Sequence, residues 1–194
     1  MVNNLTVIGM IKLRKATLGD RKKAYQWLYY SDFSDFLNKL QGHTSGNITS
    51  YKDFKKDYMD YFFNGSQPEK GCCFIITCKK EGIIEDLGII SYTSFHLLDK
   101  ITEFDIWLKG LSYTGHGYGT KALLVLAGMV RGFGYDKVIM RPSKHNKVAI
   151  KSYKKVGFME KELVPCEYYK TDFIDEFAQG DYGPGEDVFM VLDL

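Results

Sequence analysis

Apolar and basic positions alternate over Ile11-Lys-Leu-Arg14, which predicts a short opening strand. Gly19-Asp20 then precedes a helical stretch running to Tyr30. Residues 50–63 predict a second helix, with Ser50 as its N-cap and Tyr51, Phe54, Tyr58 and Phe62 at helical spacing. Three strands are predicted at 72–79, 87–95 and 101–109, and a polar, Gly-containing turn between the first two predicts a hairpin. On the third strand Glu103, Asp105 and Trp107 share one face, while Phe104, Ile106 and Leu108 share the other. A Gly-rich turn at 114–120 opens a helix to about Arg131. Residues 137–140 predict a strand. Residues 144–156 predict a helix with the stripe Ala149, Ile150, Tyr153, Val156 and with Gly157 at its C-terminal cap. Two last strands, near 158–164 and 188–192, flank an acidic, aromatic insertion at 171–185. This order predicts a mixed α/β fold around one sheet.

Composition narrows the function. The 194 residues suit one domain, taken as 10–194 behind a leader at 1–9. The 26 Lys and Arg against 24 Asp and Glu give a formal charge of +2, which argues against a dedicated nucleic-acid binder. The balance hides two blocks: residues 137–155 hold seven bases and no acid, and residues 160–194 hold ten acids and two bases. That split suggests two ligand faces of opposite sign. The longest apolar run, 122–130, is nine residues, far below the roughly 20 that a spanning helix needs. The N-terminus lacks a signal-peptide pattern. Cys72, Cys73, Cys78 and Cys166 show no CxxC spacing, so reduced core thiols in a cytoplasmic protein are expected. His43, His96, His116 and His145 show no ligand spacing, so no metal is expected.

The turn Gly115-His116-Gly117-Tyr118-Gly119 sits between a strand and a helix. Glycines there let the backbone approach a ligand, and the helix N-terminus presents N–H groups to an anion, most naturally a phosphate. Gly119 is followed by Thr120-Lys121, the wrong order for a Walker loop, and the third Gly of a dinucleotide fingerprint is missing. Downstream runs Arg141-Pro-Ser-Lys-His-Asn146-Lys-Val-Ala149-Ile150-Lys-Ser-Tyr153-Lys-Lys-Val-Gly157-Phe158. Turn and segment together resemble the GCN5-related N-acetyltransferase (GNAT) superfamily. The resemblance covers roughly residues 11–192 and is strongest over 105–158. Within that superfamily the chain is most similar to the aminoglycoside 6'-N-acetyltransferases, which carry an Asp ten residues before the first Gly of the turn, matched by Asp105 and Gly115. Three positions depart from the pattern. Thr114 stands where Gln or Arg is usual. Ile106 replaces a frequent Gln. Arg141 replaces a frequent Asp that meets the cationic drug, and is expected to repel a polycation.

The resemblance implies a GNAT fold: a mostly antiparallel twisted sheet of six to seven strands flanked by about four helices. It implies acetyl-CoA as donor, with Gly115, His116, Gly117, Tyr118, Gly119 and Thr120 around its pyrophosphate. Asn146 and Ala149, and the backbone at Trp107 and Leu108, would meet the pantetheine arm. Lys144, Lys147 or Lys151 would meet the 3'-phosphate. Asp105 would receive the proton of the attacking amine, and the Tyr153 hydroxyl would protonate the leaving thiolate. Trp27, Glu103, Asp105 and Asp187 would contact a cationic acceptor between the aromatic N-terminal helices and the acidic C-terminal segment. The leading function is N-acetylation of a small cationic amine, an aminoglycoside first, by direct attack in a ternary complex. Peptide N-terminal acetylation and non-catalytic acetyl-CoA binding stay open as alternatives, as does a monomer or a homodimer.

Overall fold

Strand β1 (Met10–Lys15) lies antiparallel to β2 (Gly71–Lys80), which forms a hairpin with β3 (Ile83–Thr93). In this computed structural model, which describes residues 10–32 and 48–194, β4 (Ile101–Leu108) extends the antiparallel run. β5 (Lys137–Met140) then pairs with β4 in parallel. With β6 (Met159–Glu160) and β7 (Met190–Asp193) the sheet has seven strands in the order β1-β2-β3-β4-β5-β7-β6. The leader at 1–9 lies outside the described residues.

The alternation of each strand divides the core into faces. On one face pack α4 (Tyr118–Gly132) and α5 (Lys147–Val156), enclosing Ile76, Ile90, Phe104, Leu126, Tyr153 and Phe158. On the other, α1 (Arg21–Tyr29), α2 (Tyr51–Asp57) and α3 (Asp60–Asn64) cover the β1–β4 half through Phe54, Phe63, Ile75, Ile89 and Trp107. The β5–β7 half carries a separate cluster of Leu97, Ile101, Ile139, Tyr169 and Val191 beneath α6 (Ile174–Phe177). Helix α1 is set against the sheet by Asp20, which takes both Arg14 guanidinium nitrogens at 2.9 and 3.1 Å and caps Thr17. No helix among the described residues is long and apolar enough to cross a membrane.

The strand expected at 87–95 runs Ile83–Thr93 and the one at 188–192 runs Met190–Asp193, and three further boundaries differ for a tertiary reason. The stretch 50–63 is two helices, because Tyr58 leaves helical geometry at φ −101°, ψ 71°. Its ring stacks on Phe54 at 4.6 Å, meets Trp107 edge-on at 5.7 Å, and its hydroxyl donates to Asp105 at 2.8 Å. Helix α5 begins at Lys147, three residues late, because Asn146 caps it by accepting the Ala149 N–H at 3.1 Å. Strand β6 stops at Glu160 because β7 has little more edge to offer: Val188 N–H goes to Pro142 and Asp187 bridges Ser143.

Candidate active site

Strands β4 and β5 pair over only Ile101↔Lys137, Thr102↔Val138 and Glu103↔Ile139. From Phe104 to Leu108, β4 keeps β3 on one side and has no strand partner on the other among the described residues. The divergence also separates two apolar clusters. On a single face of β4, Ile101 belongs to the β5–β7 cluster and Trp107 to the cluster under α1–α3. Glu103 and Asp105 lie between them, two carboxylates in the gap between two cores.

Asp105 is open to water yet set deep among protein atoms, as the wall of a cleft would be. Dehydration by those surroundings is the largest influence on its carboxyl and pushes it up to about 6. The Tyr58 hydroxyl opposes this, the charges of Asp181 and Glu103 reinforce it, and the Ile106 amide lowers it again. Asp181, from the acidic insertion, is itself raised by dehydration and then by Glu103. Glu103 is held by the buried His96, whose Nε2 lies 3.0 Å from Oε2. Tyr153 is buried, and burial followed by the Asp105 charge pushes its hydroxyl far up, so it stays protonated. The Tyr29 hydroxyl is raised chiefly by burial, with the charges of Asp57, Asp105 and Asp181 adding to it. Burial likewise pushes the Cys73 thiol well up, which disfavours a nucleophilic thiolate there. Two surface hollows, about 440 Å³ beside Arg141 and Phe189 and about 280 Å³ beside Tyr61 and Phe95, contain neither Asp105 nor the Gly-rich turn. The strand divergence, not either hollow, holds the candidate carboxylates.

At the other end of the same edge, Gly115 and Gly117 take φ of +75° and +76°, and nothing lies within 4 Å of where a side chain would start. Gly117 caps the fifteen-residue α4 without a side-chain bond, so the first-turn N–H groups face outward. The Thr120 and Ser152 hydroxyls, 2.7 Å apart, join the start of α4 to α5 and so link the turn to the helix that carries Tyr153. An open turn of this form fits a pyrophosphate, and the unpaired β4 edge fits an extended amide-bearing arm.

The sequence profile of the acetyltransferase (GNAT) domain matches residues 11–159. The chain belongs to the GNAT acetyltransferase family. A GNAT enzyme is an acetyl-CoA-dependent N-acetyltransferase, and the turn and β4 edge are where such a donor fits. Solved structures share the fold at low identity. A domain from Methanocaldococcus jannaschii superposes with a TM-score of 0.69 at 14% identity, covering 96% of this chain and 99% of that one. Aminoglycoside acetyltransferase AAC(6')-Ib with coenzyme A gives 0.64 at 20%, covering 95% of each. Spermidine N-acetyltransferase from Vibrio cholerae with CoA and spermine gives 0.63 at 13%, covering 94% and 95%. No curated protein matches by sequence.

Within this GNAT fold the predicted site residues fall into three groups. Glu103 and Asp105 share one face of β4, and Tyr153, on α5 at the opposite face, lies near enough for its hydroxyl to feel the Asp105 charge. Gly115 to Thr120 and the Trp107–Leu108 backbone lie along the proposed donor path, whereas the Trp107 ring is core. His116 is exposed beside the half-buried Tyr118 ring, 5.6 Å between centroids. The Asn146 carbonyl oxygen and the Ala149 N–H are bonded to each other, which leaves the Asn146 amide N–H₂ as the free donor. Trp27 is half-buried against the α1–α3 cluster, with the Lys23 ammonium 5.6 Å above its ring. Asp187 does not join the cleft carboxylates as a free charge: its Oδ2 takes the Arg141 Nε–H at 2.6 Å in a nearly buried pair. The Arg141 guanidinium, expected as a free repelling charge, has four of its five N–H groups bonded and its charge balanced by Asp187. Lys144 pairs with Glu186, while Lys147 and Lys151 stay exposed. Tyr58 and His96 were not legible as site residues. Both sit in aromatic or lone-His contexts that read as core, and only the fold brings them to Asp105 and Glu103.

A substitution tests the turn. Gly117→Val forces a β-branched residue to positive φ, where only Gly is unstrained. Nothing is crowded by it, so the fold should persist while acetyl-CoA affinity falls about tenfold by calorimetry, on the order of one anion-cradle contact.

Proposed function

We propose that this GNAT enzyme acetylates a primary amine of a small polycationic molecule, with an aminoglycoside as the first choice of acceptor. One observation carries the reading: Glu103, Asp105 and Asp181 share a tyrosine-lined space beside the unpaired β4 edge. Carboxylates there attract an ammonium ion, and Asp105 is raised toward neutrality, as a residue that accepts a proton near pH 7 should be. When bound, acetyl-CoA supplies the acetyl group and departs as a thiol. Asp105 takes the proton of the attacking nitrogen, directly or through one water. Tyr58 holds that carboxylate in place. Tyr153, which burial keeps protonated, supplies a proton to the leaving thiolate. Gly115 to Gly119 and the first turn of α4 bind the donor's phosphates through backbone N–H groups. The exposed Lys147 and Lys151 lie on the adjoining basic helix α5 and suit the remaining phosphate.

The test supplies acetyl-CoA with aminoglycosides, polyamines, monoamines and basic peptides, and follows free thiol. Acceptor-dependent thiol with polycationic amines is expected. Turnover with peptides alone would replace the acceptor class, and binding of acetyl-CoA without turnover of any amine would remove the enzyme reading. Tyr153→Phe should lower kcat about 10²-fold with unchanged acetyl-CoA affinity, the size of a lost general acid. An unchanged single-turnover rate would take the proton from another group.

A further inference from the structure

Arg141 makes four hydrogen bonds: two reach the insertion that carries Asp181, at Phe177 and Ala178, and two reach residues that flank it, Tyr169 and Asp187. Its Nε donates to Asp187 Oδ2 at 2.6 Å, Nη1 to the Phe177 carbonyl at 2.6 Å and the Tyr169 hydroxyl at 3.2 Å, and Nη2 to the Ala178 carbonyl at 2.9 Å. Only 8% of the side chain is exposed. The two carbonyls end α6, where helix C-terminal groups need a cation or donor. Gly180 completes the fastening. At φ +72° it passes so close that a side chain there would start 2.5 Å from Nη2 and 2.8 Å from Asp187 Oδ2. The imidazole of His96 stacks on Phe177 at 4.5 Å while binding Glu103, so the same segment is pinned to β4 as well. Asp181 is the next residue after Gly180, and Tyr182 follows it within range of Tyr153.

This inference rests on the acceptor class proposed above. We infer that Arg141 is a positioning residue for acceptor specificity: it fastens the insertion so that Asp181 faces Asp105 across the cleft, giving a polycationic acceptor a second carboxylate. Four of the five N–H groups of this nearly buried guanidinium are bonded, and Asp187 matches its charge, so little of that charge is left to repel a cation. A monoamine uses Asp105 alone. An acceptor with two or more charges also uses Asp181, and it is the second contact that Arg141 controls.

The experiment measures KM and kcat with n-butylamine and with spermidine for the full chain and for Arg141→Gln, Asp181→Asn and the double variant. The spermidine KM should rise about tenfold more than the n-butylamine KM in each single variant, with kcat changed far less. The double variant should be no worse than the more affected single one, because both changes remove one contact. A purely structural role for Arg141 predicts equal losses with both amines, or effects that add, and either result overturns the inference. If Arg141→Gln does not fold by circular dichroism, the exposed Asp181→Asn decides alone, and an unchanged KM ratio overturns the inference. A wild-type chain that turns over n-butylamine and spermidine with equal KM leaves acetyl transfer standing and removes the second-carboxylate role. A chain that binds acetyl-CoA but releases no thiol with any amine overturns the acceptor reading itself.

Discussion

Asp105→Asn should lower kcat by 10²- to 10⁴-fold while acetyl-CoA affinity stays within about twofold of wild type. The substitution is nearly isosteric. It keeps an oxygen able to accept the Tyr58 hydroxyl at 2.8 Å, and it removes only the capacity to take a proton. The donor's phosphates fall to the Gly-rich turn and the start of α4, on separate elements, so binding and turnover should part. The wild-type pH profile adds a second reading. The Asp105 carboxyl is raised to about 6, chiefly by dehydration. It must be ionised to act, so log(kcat/KM) should fall with unit slope as pH drops through about 6, and this acid limb should vanish in Asp105→Asn. The Asp181 charge is among the influences that raise the Asp105 carboxyl, so the limb should move down when Asp181→Asn removes it. Rates that match wild type, or an acid limb surviving in Asp105→Asn, would assign the base elsewhere, with Glu103 next in line on the same face.

What could be read in the chain was whatever is set by nearby residues. The alternation of 101–108 placed Glu103, Asp105 and Trp107 on one face, and the sheet places them so. The turn at 115–119 needs positive φ twice, and glycines stand there. The segment from Asn146 to Phe158 combines a cap, a stripe and a C-terminal Gly, and it forms α5. Long-range contacts were out of reach. Nothing local signals that Tyr58 bonds a residue 47 positions away, and that bond and its ring contacts are what breaks the predicted helix. Arg141 reads from its neighbours as part of a basic block. Its actual partners, 28 to 46 residues downstream, turn a supposed repulsion into a fastening. The acidic block likewise divides: Asp187 neutralises Arg141, Glu186 pairs with Lys144, and Asp181 faces the cleft. The charge blocks are visible in the chain, but pairing within the fold decides which of their charges stay free.

Phe54→Ala should cost about 3–5 kcal/mol and also weaken catalysis, a combination that separates it from other core truncations. Phe54 has no exposed surface and is the centre of the aromatic packing between α1 and α2. Its ring lies 5.3 Å from Tyr25, 6.1 Å from Tyr29 and 4.6 Å from Tyr58. Removing it opens a cavity and deletes four ring contacts, the fourth being the stack on Tyr51 at 6.3 Å, so the melting temperature should fall by about 10 °C for a chain of this size. The second effect follows from Tyr58. That residue has left helical geometry, so its direction depends on the stack with Phe54 and the edge contact with Trp107. With the stack gone, its hydroxyl loses alignment on Asp105, the proton acceptor is held less firmly, and kcat should drop about tenfold below the unfolding range. Leu126→Ala is the matched control. It is equally buried, but on α4 and the opposite face of the sheet, and truncation there should destabilise by about 2–5 kcal/mol. Its kcat at 25 °C should stay near wild type, because no contact runs from Leu126 to the Tyr58–Asp105 pair across the sheet. Equal kcat losses in the two variants would mean that the aromatic cluster serves stability alone, and Tyr58 would then hold its place without Phe54.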